Sequence, residues 1–223
     1  ALIAAHGAKG RTKLSNCAIE PEILDLISFL KKMGSEIKVS GRKISIERKE
    51  ESIKKINHKI IFDRIEAGTY LVASTLIGKK IIIHKVEPKI IKHEIDILKK
   101  MGAIISYTKN SIIIKKSKHI KNISLSTKPY PGFPTDLQAQ LMVLMTQAKG
   151  VSKIKENIFE NRFMHVAELN RMGAKIFING NKAMIEGNTK FASAELMATD
   201  LRASVSLVLA ALTAQGKSII NRI

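Results

Sequence analysis

The sequence predicts an α/β (α+β) fold of repeated β-α-β-α-β-β units, with helices inside and sheets outside. The first observation is an internal repeat: LNRMGAKI at residues 169–176 has close copies, LKKMGSEI at 30–37 and LKKMGAII at 98–105. The second is that a stretch with helical apolar spacing precedes each copy and two alternating segments follow it. The copies recur at intervals of roughly 70 residues, and such self-similarity is typical of a repeat architecture.

A helix is predicted before each copy of the repeated segment. Two of these helices read EPEILDLISFLKKMG and EPKIIKHEIDILKKMG, and the third reads ENRFMHVAELNRMG. Proline favours a helix start, because its missing N–H is harmless in the first turn. Gly34, Gly102 and Gly173 are predicted to end these helices, because glycine adopts the left-handed conformation at no steric cost.

A β-hairpin is predicted after each of these glycines. The alternating segments are EIKVSGRKISIE, IISYTKNSIIIK and KIFINGNKAMIEG, and the Asn179-Gly180 pair is the strongest hairpin signal among them. Lysines occupy alternate strand positions, which is typical of sheets with one face in water.

A second helix and strand complete each unit. They are predicted in the segments ALIAAHGAKGRTKLSNCAI, YLVASTLIGKKIIIHKV, LMVLMTQAKGVSKIKENI and LVLAALTAQGKSIINRI. We expect the last strand of one unit to serve as the first strand of the next. Residues 201–214 are apolar on nearly every face, which predicts a helix enclosed by protein. Three units around a pseudo-threefold axis would cover such inner helices.

The composition indicates a globular protein with a lysine-rich surface. The chain has 223 residues, of which 45% are hydrophobic, and a formal net charge of +19. Lysines are spread along the chain and aromatic residues make up only 4%, which disfavours nucleic-acid binding through a cationic stripe or stacking rings. The lone Cys17 and scattered histidines give no metal-site spacing and fit a reducing cytoplasm. The longest apolar run is too short for a membrane segment.

Two helices are predicted to begin with nearly the same residues, PTDLQAQ at 134–140 and ATDLRAS at 198–204. The simplest interpretation is capping: Thr135 and Thr199 accept hydrogen bonds from first-turn N–H groups, and Asp136 and Asp200 favour the positive helix end. The preceding KPYPGFP holds three prolines and a glycine, however, and rigid loops often present functional groups.

Arginine appears at Arg64, Arg162, Arg171 and Arg202 in a chain that uses lysine almost everywhere. A guanidinium binds carboxylate or phosphate with two parallel hydrogen bonds, which an ammonium cannot do. Arg162 is predicted to start a helix and Arg202 to lie in the first turn of another. Each could be an ordinary surface residue, or the two could form an anion site with the matching aspartates.

Three long segments, PYPGFPTDLQAQ, ENIFENRFMHVAELNRMGAKI and MATDLRASVSLVLAA, closely resemble the UDP-N-acetylglucosamine 1-carboxyvinyltransferase family. The resemblance extends over nearly the whole chain, since EPEILDLISFLKKMG and DRIEAGTYLVA occur in the expected order. It implies an inside-out α/β barrel of the enolpyruvate transferase type, with two domains of three units each. Residues 1–60 would be the last unit of the N-terminal domain, and 61–223 most of the C-terminal domain.

The resemblance also implies roles for five residues. Asp136 would be the base that faces the sugar 3-hydroxyl and a ligand of the UDP-sugar, and Ile158 would contact the nucleotide-sugar through its backbone. Arg162 and Arg202 would hold the carboxylate and phosphate of phosphoenolpyruvate, and Asp200 would order the closed site. The implied reaction transfers the enolpyruvyl group to UDP-N-acetylglucosamine and releases phosphate, with no cofactor and no metal.

The implied enzyme is a cytoplasmic monomer that catalyses the first committed step of peptidoglycan synthesis. Because the first residue is Ala and the family's reactive cysteine loop is absent from the sequence, we expect further chain upstream and no turnover by this segment alone. Two alternatives remain. One is the enolpyruvyl shikimate phosphate branch of proteins with the same fold, which the residues of the segments ENRFMH and PTDLQAQ disfavour. The other is a degenerate copy that acts as a basic nucleic-acid-binding or scaffold protein.

Overall fold

The computed structural model describes residues 1–49, 55–78, 80–198 and 200–222. The chain divides into two compact units, Ala1–Phe62 and Asp63–Ile223. Within the described residues no helix is long and apolar enough to cross a membrane. The helices are α1 (Leu2–Gly7), α2 (Pro21–Lys32), α3 (Arg64–Leu76), α4 (Lys92–Lys100), α5 (Gln138–Thr146), α6 (His165–Arg171) and α7 (Leu201–Ala211). The strands are β1 (Arg11–Leu14), β2 (Ser35–Ser40), β3 (Lys43–Arg48), β4 (Lys80–His84), β5 (Ile104–Tyr107), β6 (Ser111–Lys115), β7 (Ser124–Ser126), β8 (Val151–Lys155), β9 (Lys175–Asn179), β10 (Lys182–Glu186), β11 (Glu195–Met197) and β12 (Ile219–Asn221).

The first unit consists of helices α1 and α2 with a three-stranded antiparallel sheet of order β1-β3-β2. Pro21 is the first residue of α2, as the sequence predicts. Alternate residues of β3, Ile44 and Ile46, are buried against Ile27 and Leu30 of α2 in one apolar core. The apolar face of α2 therefore packs against the apolar face of β3, as the amphipathic patterns of the two segments predict.

The second unit holds three sheets, of order β4-β6-β5, β7-β8-β10-β9 and β11-β12. The predicted hairpins β5–β6 and β9–β10 are both present and antiparallel. The prediction that the last strand of one unit serves as the first strand of the next is wrong. Separate three-residue strands, β7 and β11, pair in parallel with β8 and β12 instead.

Helices occupy the interior of the second unit, as predicted. Every residue of α5 is buried, and this helix packs against α3, α7 and the strands β8 and β10. The lysines of β8 point outward and are exposed, while Ser152 and Ile154 between them are buried. One face of this sheet therefore covers the helices and the other faces water.

Helix α7 differs from the prediction of a helix enclosed on all sides. It ends at Ala211, and although Leu207 and Ala210 are fully buried, Leu201 is 72% exposed and Leu212 is 59% exposed. The fully enclosed helix is α5, because α5 lies between two helices and a sheet, whereas α6, α5 and β12 cover only part of α7.

The three repeated glycines end their helices in the predicted conformation. Their φ angles are +97° at Gly34, +101° at Gly102 and +100° at Gly173. Gly180 in the β9–β10 turn also has a positive φ of +56°. Helix α4 begins later than predicted, at Lys92 rather than beside Pro88, and the intervening residues form turns.

Candidate active site

Asp136 lies in a short 3-10 turn, Thr135–Leu137, directly before α5. Its carboxylate pairs with two guanidinium groups: Arg162 donates a hydrogen bond to Oδ1, and Arg202 Nη2 forms an ion pair with Oδ2 at 3.2 Å. The Asp136 side chain is 38% exposed, whereas those of Arg162 and Arg202 are 11% and 28% exposed. Three of the five predicted residues therefore meet at one partly buried cluster of charges.

Arg162 lies in a turn before α6, and the prediction that it starts a helix is wrong, because α6 begins at His165. The guanidinium carbon is 4.8 Å from the centre of the Phe159 ring, a distance that allows a cation–π contact. Its Nε is buried and has no hydrogen-bond partner in the described part of the chain. The guanidinium is thus held in place and still has a donor for an additional acceptor.

Asp200 is the N-cap of α7. Its Oδ1 accepts from the backbone N–H of Arg202 at 2.7 Å and of Ala203 at 3.0 Å. This cap fixes the first turn of α7, from which the Arg202 side chain reaches Asp136. The sequence predicted a capping role for Thr199 here, but Thr199 lies outside the described residues.

Thr135 does not cap a helix, contrary to the prediction. Its hydroxyl donates to Glu156 Oε2 at 2.9 Å, and the 3-10 turn has no side-chain cap. Glu156 is 3% exposed, and its other oxygen accepts from the Thr127 hydroxyl and from the N–H groups of Ile158 and Phe159. A buried carboxylate therefore joins the segment before Asp136 to the segment before Arg162.

Ile158 lies beside a cavity of about 960 Å³ lined by Glu156, Ile158, Phe159, Arg162, Met164 and Asn181, among others. The Ile158 side chain is 44% exposed. Its N–H already donates to Glu156 at 2.8 Å, which leaves the carbonyl as the free backbone group for a ligand. The cavity adjoins the charge cluster through Arg162, so one concave surface combines apolar side chains with a guanidinium.

His165, the first residue of α6, is 1% exposed and lies near the charge cluster. Burial lowers the pKa of its imidazole to about 4, with a further lowering by the Arg162 charge, while the Asp200 carboxylate and a hydrogen bond with the Arg162 backbone act in the opposite direction. The ring is therefore neutral near pH 7. Its Nε2 is buried with no hydrogen-bond partner among the described residues.

The remaining candidate arginines lie apart from this cluster. Arg64 is buried in α3, 4.0 Å from Glu94 and 5.9 Å from the Tyr130 ring centre. Burial raises the pKa of Glu94, and the nearby Arg64 charge offsets part of that effect. Arg171 pairs with Glu168 on α6. Both arginines therefore have protein partners and are not brought to Asp136.

Sequence reasoning missed Glu156, Phe159 and His165. A signal existed for Glu156, because the two-residue period of β8 places it on the inward face after Ser152 and Ile154. An acid at an inward position must find donors, since burial of an unsatisfied charge is costly. No comparable sequence signal separates His165 from a histidine on the outer face of a helix.

The cluster resembles an anion-binding site in which the bound anion is the Asp136 carboxylate. Two guanidinium groups converge on one carboxylate, and charge-assisted pairs of this kind are among the stronger hydrogen bonds in proteins. Any ligand with a carboxylate or phosphate could replace Asp136 between the two arginines. The freed carboxylate would then be available as a hydrogen-bond acceptor for a neighbouring hydroxyl.

Comparisons with known proteins identify the family to which the chain belongs. A family model of EPSP synthase (3-phosphoshikimate 1-carboxyvinyltransferase) matches residues 1–223. The UDP-N-acetylglucosamine 1-carboxyvinyltransferase of Pelagibacter ubique is 62% identical over 222 residues, which cover 100% of this chain and 53% of that protein. The enzyme of the same name from Afipia carboxidovorans is 48% identical over 224 residues, covering 100% of this chain and 52% of that protein. The chain thus spans about half the length of the curated relatives it matches.

Solved structures show the same fold. The crystal structure of the enolpyruvyl transferase NikO from Streptomyces tendae superposes with a TM-score of 0.88 at 24% identity, covering 98% of this chain and 53% of that one. EPSP synthase from Acinetobacter baumannii gives 0.72 at 22% identity, covering 99% of this chain and 54% of that one. The fold class predicted from the repeats is confirmed. Because the family model matches every residue from 1 to 223, the chain belongs to the EPSP synthase (3-phosphoshikimate 1-carboxyvinyltransferase) family.

Proposed function

We propose that this chain is part of an enzyme that transfers the enolpyruvyl group of phosphoenolpyruvate to the 3-hydroxyl of UDP-N-acetylglucosamine and releases phosphate. The observation that carries the proposal is the Asp136 carboxylate between Arg162 and Arg202. The names of the Pelagibacter and Afipia relatives support the choice of sugar nucleotide. The enzyme would be a cytoplasmic monomer that acts at the first committed step of peptidoglycan synthesis.

The two arginines would bind phosphoenolpyruvate through its carboxylate and phosphate. Arg162 offers a buried Nε that has no hydrogen-bond partner among the described residues, and both arginines offer the terminal nitrogens that contact Asp136. Because the guanidinium groups are already oriented, little reorganisation is needed when negative charge develops on the substrate. Exchange of Asp136 for the substrate anion would free its carboxylate to face the sugar.

Asp136 would then orient the sugar 3-hydroxyl and take its proton. The sugar oxygen forms a bond to carbon 2 of phosphoenolpyruvate while carbon 3 takes up a proton from water and becomes a methyl group. Loss of one methyl proton, with cleavage of the carbon 2–oxygen bond and departure of phosphate, restores the double bond. Holding both substrates beside one carboxylate removes much of the entropic part of the barrier. Asp200 contributes by fixing the first turn of α7, and with it Arg202.

The domain assignment is also a proposal. Residues 1–60 would belong to the last unit of an N-terminal domain and residues 61–223 to most of a C-terminal domain. The division into compact units between Phe62 and Asp63 supports this assignment. The sugar nucleotide would lie along the cavity beside Ile158 and donate a hydrogen bond to the Ile158 backbone carbonyl.

Titration of the purified chain with UDP-N-acetylglucosamine by isothermal calorimetry tests the proposal. We expect saturable binding that Asp136→Ala abolishes, whereas Asp96→Ala, which removes an exposed partner of Lys92, leaves the affinity unchanged. Phosphate release from the two substrates is measured on the polypeptide isolated from its source cell. Binding to DNA that weakens steeply with salt, without sugar-nucleotide binding, would contradict the proposal and favour the basic scaffold alternative.

A further inference from the structure

We propose that Glu156 is a positioning residue that sets the spacing between Asp136 and Arg162 by joining the two segments that carry them. The inference rests on the proposed function for the roles of those two residues. Glu156 itself contacts neither of them through a hydrogen bond that the structure describes. It acts through Thr135 on one side and through Ile158 and Phe159 on the other.

The two carboxylate oxygens of Glu156 together bind both segments. Oε2 accepts from the Thr135 hydroxyl at 2.9 Å, and Thr135 immediately precedes Asp136 in the 3-10 turn. Oε1 accepts from the N–H groups of Ile158 at 2.8 Å and Phe159 at 3.1 Å. The Phe159 ring in turn supports the Arg162 guanidinium at 4.8 Å.

Thr127 adds a second connection to the same carboxylate. Its hydroxyl, in a fully buried residue, donates to Glu156 Oε1 at 2.7 Å and accepts from the Asn157 N–H at 2.9 Å. The Thr127 carbonyl accepts from Asn157 Nδ2 at 3.2 Å. The loop that begins at Thr127 and ends at Asp136 is therefore attached to Glu156 at both ends.

A carboxylate suits this arrangement because four donors converge on Glu156 and both of its oxygens accept. Glutamine can imitate the carboxylate, since its amide oxygen can face the Ile158 and Phe159 N–H groups while its N–H₂ donates to the Thr135 hydroxyl, which also accepts. Leucine has a similar size but no acceptor, so it would lose the connections to both segments. Glu156 has no ion-pair partner among the residues that the structure describes, so these hydrogen bonds offset the cost of burying its charge.

Amide hydrogen exchange on the purified chain tests the link without any ligand. In Glu156→Leu we expect exchange of the Ile158 and Phe159 amides to accelerate at least about tenfold, while the amides of α5 keep their protection. Glu156→Gln, which can still accept from these N–H groups, is the conservative control and should keep most of the protection. Thr135→Val, which keeps the side-chain shape, is the milder variant should Glu156→Leu fail to fold. Unchanged exchange at 158–159 in a folded Glu156→Leu would overturn the proposal.

Ligand binding tests whether the link matters for the site. Thr135→Val should weaken UDP-N-acetylglucosamine binding about tenfold, whereas Thr135→Ser, which keeps the hydroxyl, should bind as the unaltered chain does. Thr213→Val, which removes a part-buried hydroxyl bonded to the Ala210 carbonyl, is the matched control.

The hydrogen-exchange and ligand-binding experiments together distinguish failure of the proposed function from failure of the proposed role of Glu156. If the unaltered chain binds no sugar nucleotide but the exchange result holds, the proposed function fails and the structural link stands. If Thr135→Val and Thr135→Ser both bind as the unaltered chain does, Glu156 has no positioning role.

Discussion

Asp136 Oδ2 lies 3.2 Å from Arg202 Nη2, and the same carboxylate pairs through Oδ1 with Arg162. A carboxylate from the turn before α5 thus pairs with two arginines, one from α7 and one from the segment before α6. In this arrangement the Asp136 side chain is the anion that the two guanidinium groups bind. Removal of that side chain's charge is therefore the most direct way to examine the site.

Asp136→Asn should increase the affinity of the chain for inorganic phosphate by about tenfold or more. The reason is that the two guanidinium groups lose their carboxylate and become available to a free anion, and charge-assisted pairs are worth on the order of 1.5–3 kcal/mol. Phosphorus NMR titration at low salt measures the change. Glu168→Gln, which releases Arg171 instead, should have a much smaller effect, and equal gains for both variants would contradict the prediction.

Asp200→Ala and Asp63→Ala should have similar effects on stability and different effects on binding. Each aspartate caps a helix by accepting two backbone N–H groups, in α7 and in α3 respectively. Loss of either cap should lower the free energy of unfolding by about 1 kcal/mol. Only α7 carries Arg202, so phosphoenolpyruvate affinity should fall in Asp200→Ala alone. Chemical denaturation and calorimetric titration measure the two quantities.

Acidification should destabilise the chain partly through His165. Its pKa is about 4 in the folded chain, against 6.5 for the unperturbed imidazole, so the unfolded state binds the proton more readily between these values. The contribution to stability is present above pH 6.5 and falls by about 3 kcal/mol as the pH drops to 4. His165→Gln should flatten the pH dependence of the unfolding free energy, and the exposed His84→Gln should not.

Gly102→Ala should destabilise the chain more than Gly173→Ala. Both glycines have φ near +100°, so alanine at either position should cost about 1–2 kcal/mol for the left-handed conformation. An added Cβ at Gly102 would lie 2.5 Å from the His119 carbonyl oxygen, whereas at Gly173 the nearest atom, the Lys190 carbonyl oxygen, is 3.6 Å away. Thermal unfolding of the two variants tests the order, and equal losses would contradict it.

Much of the fold was predictable because its signals are local. The helix-ending glycines and the hairpin at Asn179-Gly180 depend on backbone preferences that a few residues determine. The strands β7 and β11 were missed because three residues are too few to show alternation, and they exist through pairing with β8 and β12. The exposed face of α7 was missed because apolar composition does not specify which neighbours are present.

The candidate site was predictable only in part. The resemblance pointed to Asp136, Arg162 and Arg202, and the structure brings these three together. The sequence could not show that Thr135 turns toward Glu156 rather than toward its own helix, because both choices satisfy the hydroxyl. Nor could it show that His165 is buried, since that depends on how α6 packs against α7.

The shared conformation of Gly34, Gly102 and Gly173 bears on how such a chain could arise. A glycine at the end of a helix determines the turn that follows through its own backbone conformation. Duplication of the gene segment would therefore reproduce the helix, the turn and the hairpin in each copy. The surfaces between copies are not reproduced in this way, because each copy meets different neighbours. The enclosed α5 and the partly exposed α7 occupy the same place in their units and differ in the neighbours that the described residues give them.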